Sequence, residues 1–227
     1  MEKFENKLLQ TDDIYKTVKN ITEETSDVDF SFDLKDKKNI FLLGLYFAGG
    51  KKIKNIDIEK LNLEELKSFD KMLYSWWKED LQPNFEEENL EDGAFLIFPF
   101  RKANEEAKTM AGVLLNNIEK CGFNAYYPAR DTNQEDYYSY RVGIDNANAI
   151  SNARNIYLYY DRNSIGTIFD LGVAYYFQVK YPNRTFLVMK EEQIEWNEND
   201  FGDKVVLSML NAQKVYNEER NTRKRNI

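Results

Sequence analysis

The fold of this chain is decided by the stretch Asn155-Ile-Tyr-Leu-Tyr-Tyr-Asp-Arg-Asn-Ser-Ile-Gly-Thr-Ile-Phe-Asp-Leu-Gly-Val-Ala174. Its first six residues are mostly apolar or aromatic, which is typical of a buried strand. Residues 167–177 are mostly apolar and predict a helix with Asp170 in its first turn. The polar residues before that helix therefore follow the carboxyl end of a strand, where open α/β sheets bind their ligands. A helix N-terminus there also offers free backbone N–H groups to a polar or anionic ligand.

Strands and helices alternate on both sides of this stretch. The sequence predicts strands at 94–98, 123–127, 155–160 and 184–189, and helices at 103–121, 142–153, 167–177 and 205–216. Alternation of this kind predicts an α/β fold, namely a Rossmann- or flavodoxin-like parallel sheet with helices on both faces. Gly122 is expected to end the helix that precedes it.

Residues 1–90 do not share this alternation. We predict that they form a mostly helical N-terminal accessory region ahead of an α/β domain at residues 91–227. Amphipathic periodicity predicts helices at 4–21 and 63–81. The segment 40–48 is strongly apolar and is predicted to be buried, either as a helix or as a strand, because periodicity does not distinguish the two.

The predicted helix at 63–81 carries Trp76 and Trp77 on its apolar face. A Trp pair on such a face is typical of a core or of a subunit interface, so we expect self-association. The acidic run at 86–88 and the turn residues Asp92 and Gly93 mark the boundary with the α/β domain.

Composition limits the kinds of function. The chain has 227 residues, of which 42% are hydrophobic and 15% aromatic, so it can bury a large core. Its net charge of −8 argues against general nucleic-acid binding and favours a small substrate or a protein partner. The single cysteine, Cys121, allows no internal disulfide and indicates a reducing compartment. With no apolar run near the length of a membrane span and no signal-peptide pattern, we expect a cytoplasmic location and no membrane partner.

The sequence contains no histidine. This absence excludes Ser-His-Asp and Cys-His mechanisms and histidine-ligated zinc. Acid–base chemistry must then come from carboxylates, tyrosine, lysine or water. We predict neither a metal nor another cofactor.

Three short motifs carry a resemblance to a known family. They are Ala94-Phe-Leu-Ile-Phe-Pro-Phe100, Tyr127-Pro-Ala-Arg-Asp131 and the set Gly166, Thr167, Asp170, Gly172 and Ala174. On these residues the chain resembles the nucleoside 2-deoxyribosyltransferase family, over about residues 94–190. The resemblance implies an enzyme that breaks the N-glycosidic bond of a nucleoside or nucleotide and passes the sugar to another base or to water.

Two positions depart from the pattern of that family. The family nucleophile is a Glu, and Asp170 occupies the matching position. The family usually has an Asp six residues earlier, where this chain has Ser164. The resemblance implies that Asp170 attacks the anomeric carbon and forms a covalent glycosyl-enzyme, as in retaining glycosidases. It also implies that Asp145 handles the proton of the base and that the protein is a homo-oligomer whose pockets are completed by a neighbouring subunit.

The candidate substrate-binding residues all follow predicted strand ends, which a doubly wound sheet brings to one edge. They are Pro99, Phe100 and Arg101 after the first strand, Arg130 and Asp131 after the second, and Asp161, Ser164, Gly166 and Thr167 after the third. Phe100 or a tyrosine of 137–140 is a candidate to stack on a nucleobase. Arg101 and Arg130 are candidates to bind a 5′-phosphate, although surface ion pairing explains either arginine as well.

Other interpretations stay open. Thr167 and Asp170 have the spacing of a capping box, in which the acid only caps the helix. Gly172 and Ala174 are also explained as small residues that let the helix lie close to the sheet. A TIR-like enzyme that cleaves NAD would share the architecture. The departures at 164 and 170 favour a non-catalytic nucleotide-binding or regulatory protein that has kept the pocket.

Overall fold

The computed structural model describes residues 36–48, 91–132, 140–181, 183–197 and 199–225. Its centre is a sheet of four parallel strands in the spatial order β2-β1-β3-β4. The strands are β1 (Glu91–Ile97), β2 (Asn124–Tyr126), β3 (Ala153–Leu158) and β4 (Thr185–Val188). The predicted parallel sheet is confirmed.

Helices cover both faces of the sheet, as predicted. The helices are α1 (Lys37–Ala48), α2 (Glu105–Lys120), α3 (Pro128–Asp131), α4 (Tyr140–Asn152), α5 (Ile165–Lys180) and α6 (Phe201–Arg225). Helix α2 connects β1 to β2, whereas α4 and α5 connect β2 to β3 and β3 to β4. In the strand order β2-β1-β3-β4, the connection from β1 to β2 runs one way across the sheet, and the connections from β2 to β3 and from β3 to β4 run the other way. Because all three crossovers are right-handed, α2 lies on one face of the sheet and α4 and α5 lie on the other.

The alternation of side chains along β1 separates two cores. Phe95 and Ile97 point toward the face with α4, α5 and α6, whereas Leu96 and Phe98 point toward α2. Helix α2 therefore buries only one side, formed by Ala107, Ala111, Leu115 and Ile118. It ends at Cys121, and Gly122 follows with a positive φ of 87°, as the sequence predicts.

Helix α5 is buried on two sides, because α1 packs on the surface that faces away from the sheet. All residues from 170 to 178 are buried. The two helices cross at Gly44 and Gly172, where a Cβ on Gly172 would lie 2.1 Å from the Phe41 carbonyl oxygen and one on Gly44 would lie 2.1 Å from the Phe169 carbonyl oxygen. The expected reason for Gly172, close contact with the sheet, is therefore wrong: its missing side chain makes room for α1.

The apolar segment 40–48 of the predicted accessory region is a helix, α1, and it belongs to the core of the α/β fold. The Phe41 ring contacts the Tyr175 and Phe201 rings at centroid distances of 5.4 and 5.5 Å. The Lys37 ammonium binds the Asp200 carboxylate at 2.5 Å. The other predicted N-terminal helices, at 4–21 and 63–81, lie outside the described residues, and the domain boundary near residue 90 stays a prediction.

The start of α5 differs from the prediction. Ser164 is the N-cap: its backbone is extended, and its Oγ accepts a hydrogen bond from the Thr167 N–H at 3.3 Å. Thr167 is thus the third residue of the helix and not its cap. Asp170 is the sixth, in the second turn, where its side chain does not reach the cap N–H groups. The capping-box interpretation of Thr167 and Asp170 is wrong for this geometrical reason.

Of the helices in the described part of the chain, none is both long enough and apolar enough to cross a membrane.

Candidate functional site

A crevice of about 610 Å³ opens at the carboxyl edge of the sheet, between the ends of β1 and β3. Helices α2 and α5 leave these two strands toward opposite faces, so this is the topological switch point at which such sheets bind ligands. The crevice is lined by Pro99, Lys102, Ala103, Asn104, Ala107, Tyr159, Tyr160, Asp161, Arg162, Asn163, Gln193, Ile194 and Glu195. Of the predicted substrate-binding residues, the structure therefore brings Pro99 and Asp161 together here.

The walls of the crevice are held by polar contacts between segments. Lys102 Nζ donates to the Asn163 carbonyl oxygen at 2.7 Å, which joins the loop after β1 to the loop after β3. The Arg162 guanidinium donates to the Glu195 carbonyl oxygen at 2.6 Å and lies 3.1 Å from the Asp203 carboxylate. Lys102 and Arg162 therefore line the crevice while each is bound to another group of the protein.

Asp203, at the start of α6, is fully buried and organises one of these walls. Its carboxylate accepts hydrogen bonds from the Tyr160 hydroxyl and from the Asn197 N–H, both at 2.7 Å. Burial raises the pKa of Tyr160, and the bond to Asp203 raises it further. Tyr160 also stacks on Trp196 at 6.0 Å. Tyr160 is therefore a fixed, neutral aromatic surface on the edge of the crevice.

Asp170 lies apart from the lining of the crevice. Its side chain is 5% exposed, and it faces α4 from the second turn of α5. Asn146 Nδ2 donates to both carboxylate oxygens, at 3.1 and 3.3 Å. Burial raises the pKa of Asp170 to about 7, because the loss of solvation outweighs the Asn146 hydrogen bond, which lowers it. Near neutral pH this carboxyl is consequently poised between its acid and its ionised form.

A chain of side chains extends from Asp170 toward the end of β2. The Asn146 Oδ1 accepts from the Thr132 hydroxyl at 3.4 Å, and Thr132 Oγ1 lies 2.7 Å from the Tyr126 hydroxyl. Burial raises the pKa of Tyr126, and the negative charges of Asp145, Asp131 and Asp170 raise it further. Four elements thus contribute to one buried polar chain.

A second opening, a groove of about 680 Å³, runs beside β2. Asp131 and Asp145 line it together with Tyr126, Asn148 and Asn152. The helical period of α4 explains the position of Asp145, because it shares a side of the helix with Asn148, Ala149 and Asn152. The next residue, Asn146, shares the buried side with Ile150 and faces Asp170. The assignment of Asp145 as the residue that handles the base proton stays a prediction.

Arg130 and Asp131 bind each other and the protein. The Arg130 guanidinium contacts the Asp131 carboxylate at 2.7 Å, Glu119 at 2.7 Å and the Ala125 carbonyl oxygen at 2.5 Å. Hydrogen bonds to the two carboxylates raise the pKa of Arg130. Asp131 also accepts from the Tyr127 N–H at 2.7 Å, at the start of α3. These contacts fasten α3 to β2 and α2.

The remaining predicted residues lie near the carboxyl edge. Phe100 is 40% exposed and its ring lies 6.4 Å from that of Tyr127, while Arg101 and Gly166 are exposed. The Thr167 hydroxyl is buried and has no hydrogen-bond partner among the described residues.

Sequence reasoning missed Asn146, Thr132, Lys102 and Arg162. The signal for Asn146 was present, because it lies four residues before Ile150 and hence on the buried side of a helix whose period was predicted. No sequence pattern identifies Lys102 and Arg162. Each lies in a loop, and the path of that loop depends on contacts with residues far away in sequence.

In the described part of the chain, no group of three or more His, Cys, Asp or Glu residues is placed to hold a metal ion. Compared with protein-family models, with curated proteins and with solved structures, the chain matches none of them.

Proposed function

We propose that this protein acts on the N-glycosidic bond of a nucleoside or nucleotide, as a deoxyribosyltransferase or an N-glycoside hydrolase, with Asp170 as its carboxylate nucleophile. The substrate binds in the crevice at the switch point. The crevice extends to Asn163 in the loop before α5, and Asp170 lies about 8 Å along the helix axis from Ile165 at 1.5 Å per residue, so the sugar must pass the first turn of α5 to reach the carboxyl.

The observation that carries this proposal is the buried carboxyl of Asp170. It lies in a helix whose residues 170–178 are all buried, and the side chain that donates hydrogen bonds to it is the neutral amide of Asn146. Keeping a carboxyl in such surroundings reduces stability, and perturbed carboxyls of this kind concentrate where a protein does chemistry. Its motif is also one of the three on which the family resemblance rests.

The chemistry proceeds in two steps. In the first, an Asp170 carboxylate oxygen bonds to the anomeric carbon while the C–N bond breaks, and the departing base keeps that electron pair and takes up a proton from water. In the second, water or another base attacks the same carbon and gives up a proton to water, the ester bond breaks, and the carboxylate is restored. The first step requires the ionised form of Asp170, and the second step regenerates it.

Release of free base from a panel of deoxynucleosides, deoxynucleotides and NAD tests the proposal. We expect Asp170→Asn to reduce turnover by at least about a thousand-fold, because it removes the attacking charge while keeping the shape. The rate of the wild-type protein should rise with pH up to about 7 and then level off, following the pKa of Asp170.

The matched control is Glu218→Gln, which converts an exposed carboxylate on α6 to an amide. It should release base at the wild-type rate. Retention of wild-type turnover by Asp170→Asn would end the assignment of the nucleophile. Release of nicotinamide alone would favour the TIR-like alternative.

The second candidate is a non-catalytic nucleotide-binding or regulatory protein. It is favoured by the 5% exposure of Asp170 and by the absence of this residue from the lining of the crevice. Calorimetric binding of a nucleotide without any release of base would identify this case. The family resemblance supports a homo-oligomer, and the composition supports a cytoplasmic location, for either candidate.

A further inference from the structure

Asn146 is placed between Asp170 and the rest of the polar chain. Its side chain is 6% exposed, and its Nδ2 lies 3.1 and 3.3 Å from the two Asp170 carboxylate oxygens. The NH₂ group of Asn146 thus donates hydrogen bonds to both oxygens of the Asp170 carboxylate. This arrangement fixes the carboxyl in rotation as well as in position.

The orientation of the amide is set from its other end. Asn146 Oδ1 accepts from the Thr132 hydroxyl, and that hydroxyl lies 2.7 Å from the Tyr126 hydroxyl. With its Oδ1 accepting from the Thr132 hydroxyl, the amide directs its NH₂ group toward Asp170. An NH₂ group donates only, so it favours the ionised carboxylate over the neutral acid.

The surroundings of Asp170 leave this role to the amide. The side chains that α1 buries against α5 include Ile40, Phe41 and Leu45, all apolar. Among the described residues, the ionisable groups on the polar side are Tyr126 from β2 and, around Tyr126, Asp131 from α3 and Asp145 from α4. All of these are neutral or negative, and none of them favours the ionised form of Asp170.

We propose that Asn146 is the positioning residue of this site: its amide favours the ionised form of the Asp170 carboxyl and orients it for attack, and the Tyr126–Thr132 pair holds the amide in that orientation. The role of Asn146 rests on the proposed function of Asp170, but its effect on the ionisation of Asp170 is measurable without any substrate.

The primary test uses Asn146→Leu, which keeps the size of the side chain and removes the donor. The titration of Asp170 is obtained from the pH dependence of the unfolding free energy, as the difference between each background and its Asp170→Asn partner. Without the amide, the pKa of Asp170 should rise by at least about one unit, which lowers the ionised fraction at pH 7 about five-fold.

The matched control is Asn148→Leu, the same substitution two residues further along α4, on the side that lines the groove. It should leave the titration of Asp170 unchanged. If Asn146→Leu does not fold, Asn146→Asp keeps the size and replaces the donor by a second carboxyl, which should raise the pKa of Asp170 still further. An unchanged titration in the folded variant overturns the proposal.

Activity supplies the second readout. If the wild-type protein releases base, the pH–rate profile of Asn146→Leu should move to higher pH by the same amount as the titration, with turnover recovering above pH 8. A shifted titration in a protein that never releases base refutes the proposed function and leaves the electrostatic role of Asn146 intact. A profile that does not move, although Asp170→Asn is inactive, refutes the positioning role alone.

Discussion

Helices α2 and α5 have the same length of 16 residues and start at the same edge of the sheet, yet they are buried in opposite ways. Helix α2 packs one side on the sheet and leaves the other in solvent. Helix α5 lies between the sheet and α1, so both of its sides are buried. The same position in the fold therefore produced an amphipathic helix in one case and an apolar one in the other.

Because of this difference in burial, a polar side chain needs a structural or functional explanation on α5 but not on α2. On α2 a polar side chain faces water and needs no further reason. At the N-terminal end of α5, the N-cap Ser164 and the helical residues Thr167 and Asp170 are 8%, 2% and 5% exposed, so each loses its hydration. Ser164 recovers a hydrogen bond as the N-cap and Asp170 recovers one from Asn146, whereas the Thr167 hydroxyl has no partner among the described residues. The buried polar groups of α5 therefore indicate candidate functional positions more strongly than the exposed polar groups of α2.

The sharpest test of this comparison substitutes alanine for one glycine in each helix. Gly172→Ala places a methyl group 2.1 Å from the Phe41 carbonyl oxygen, and α1 must move away from α5. We expect a loss of more than about 3 kcal/mol in the free energy of unfolding, measured by chemical denaturation.

Gly112→Ala is the matched change on α2, where no atom of the described residues lies within 4 Å of the new methyl group. It should stabilise the protein by about 0.5–1 kcal/mol, because alanine has the higher helix propensity. Similar effects of the two substitutions would contradict the packing of α1 on α5.

The sequence allows α2 to be predicted almost completely, and α5 only in part. Periodicity identifies the buried side of α2 because that helix has one exposed side. Periodicity is uninformative for an apolar helix buried on both sides, so the contact between Gly172 and α1 was not predictable from residues 167–177. The start of α5 was misplaced because Ser164 and Thr167 are both good N-caps, and only the path of the chain after β3 decides between them.

The candidate site was likewise predicted only in part. The rule that ligands bind at the carboxyl edge directs attention to the crevice, whose lining includes Pro99 and Asp161. The division between the crevice, the groove with Asp145 and the buried Asp170 depends on side-chain directions across three elements. A pattern in one element cannot supply those directions, although the period of α4 does place Asn146 on the buried side.

The second prediction concerns the pH dependence of stability. The pKa of Asp170 is raised from its ordinary value of 3.8 to about 7, so the folded state binds more protons than the unfolded state between those pH values. Stability contributed by this group is complete below about pH 4 and is lost as the pH rises through 7. At about 1.4 kcal/mol for each pH unit the loss is on the order of 4 kcal/mol.

Asp170→Asn removes this dependence and should be more stable than the wild type at pH 8, while the two match near pH 4. Thermal or urea unfolding at both pH values measures the difference, with Glu218→Gln treated in parallel. If Asp170→Asn is less stable than the wild type at pH 8, the buried Asp170 carboxylate stabilises the protein, which contradicts the prediction.

The smallest effect compares the N-caps of the two helices. Asn104 caps α2 with Oδ1 at 2.8 Å from the Ala107 N–H, and Ser164 caps α5 with a longer bond of 3.3 Å to the Thr167 N–H. Bond length alone predicts that Asn104→Ala costs more. Burial predicts the reverse, because water replaces the lost partner at the exposed α2 cap, whereas the Thr167 N–H is left buried without a partner. We expect burial to decide, with about 1 kcal/mol for Asn104→Ala and about 2 kcal/mol for Ser164→Ala, measured by urea denaturation. The opposite order would mean that water reaches the Thr167 N–H once the Ser164 hydroxyl is removed.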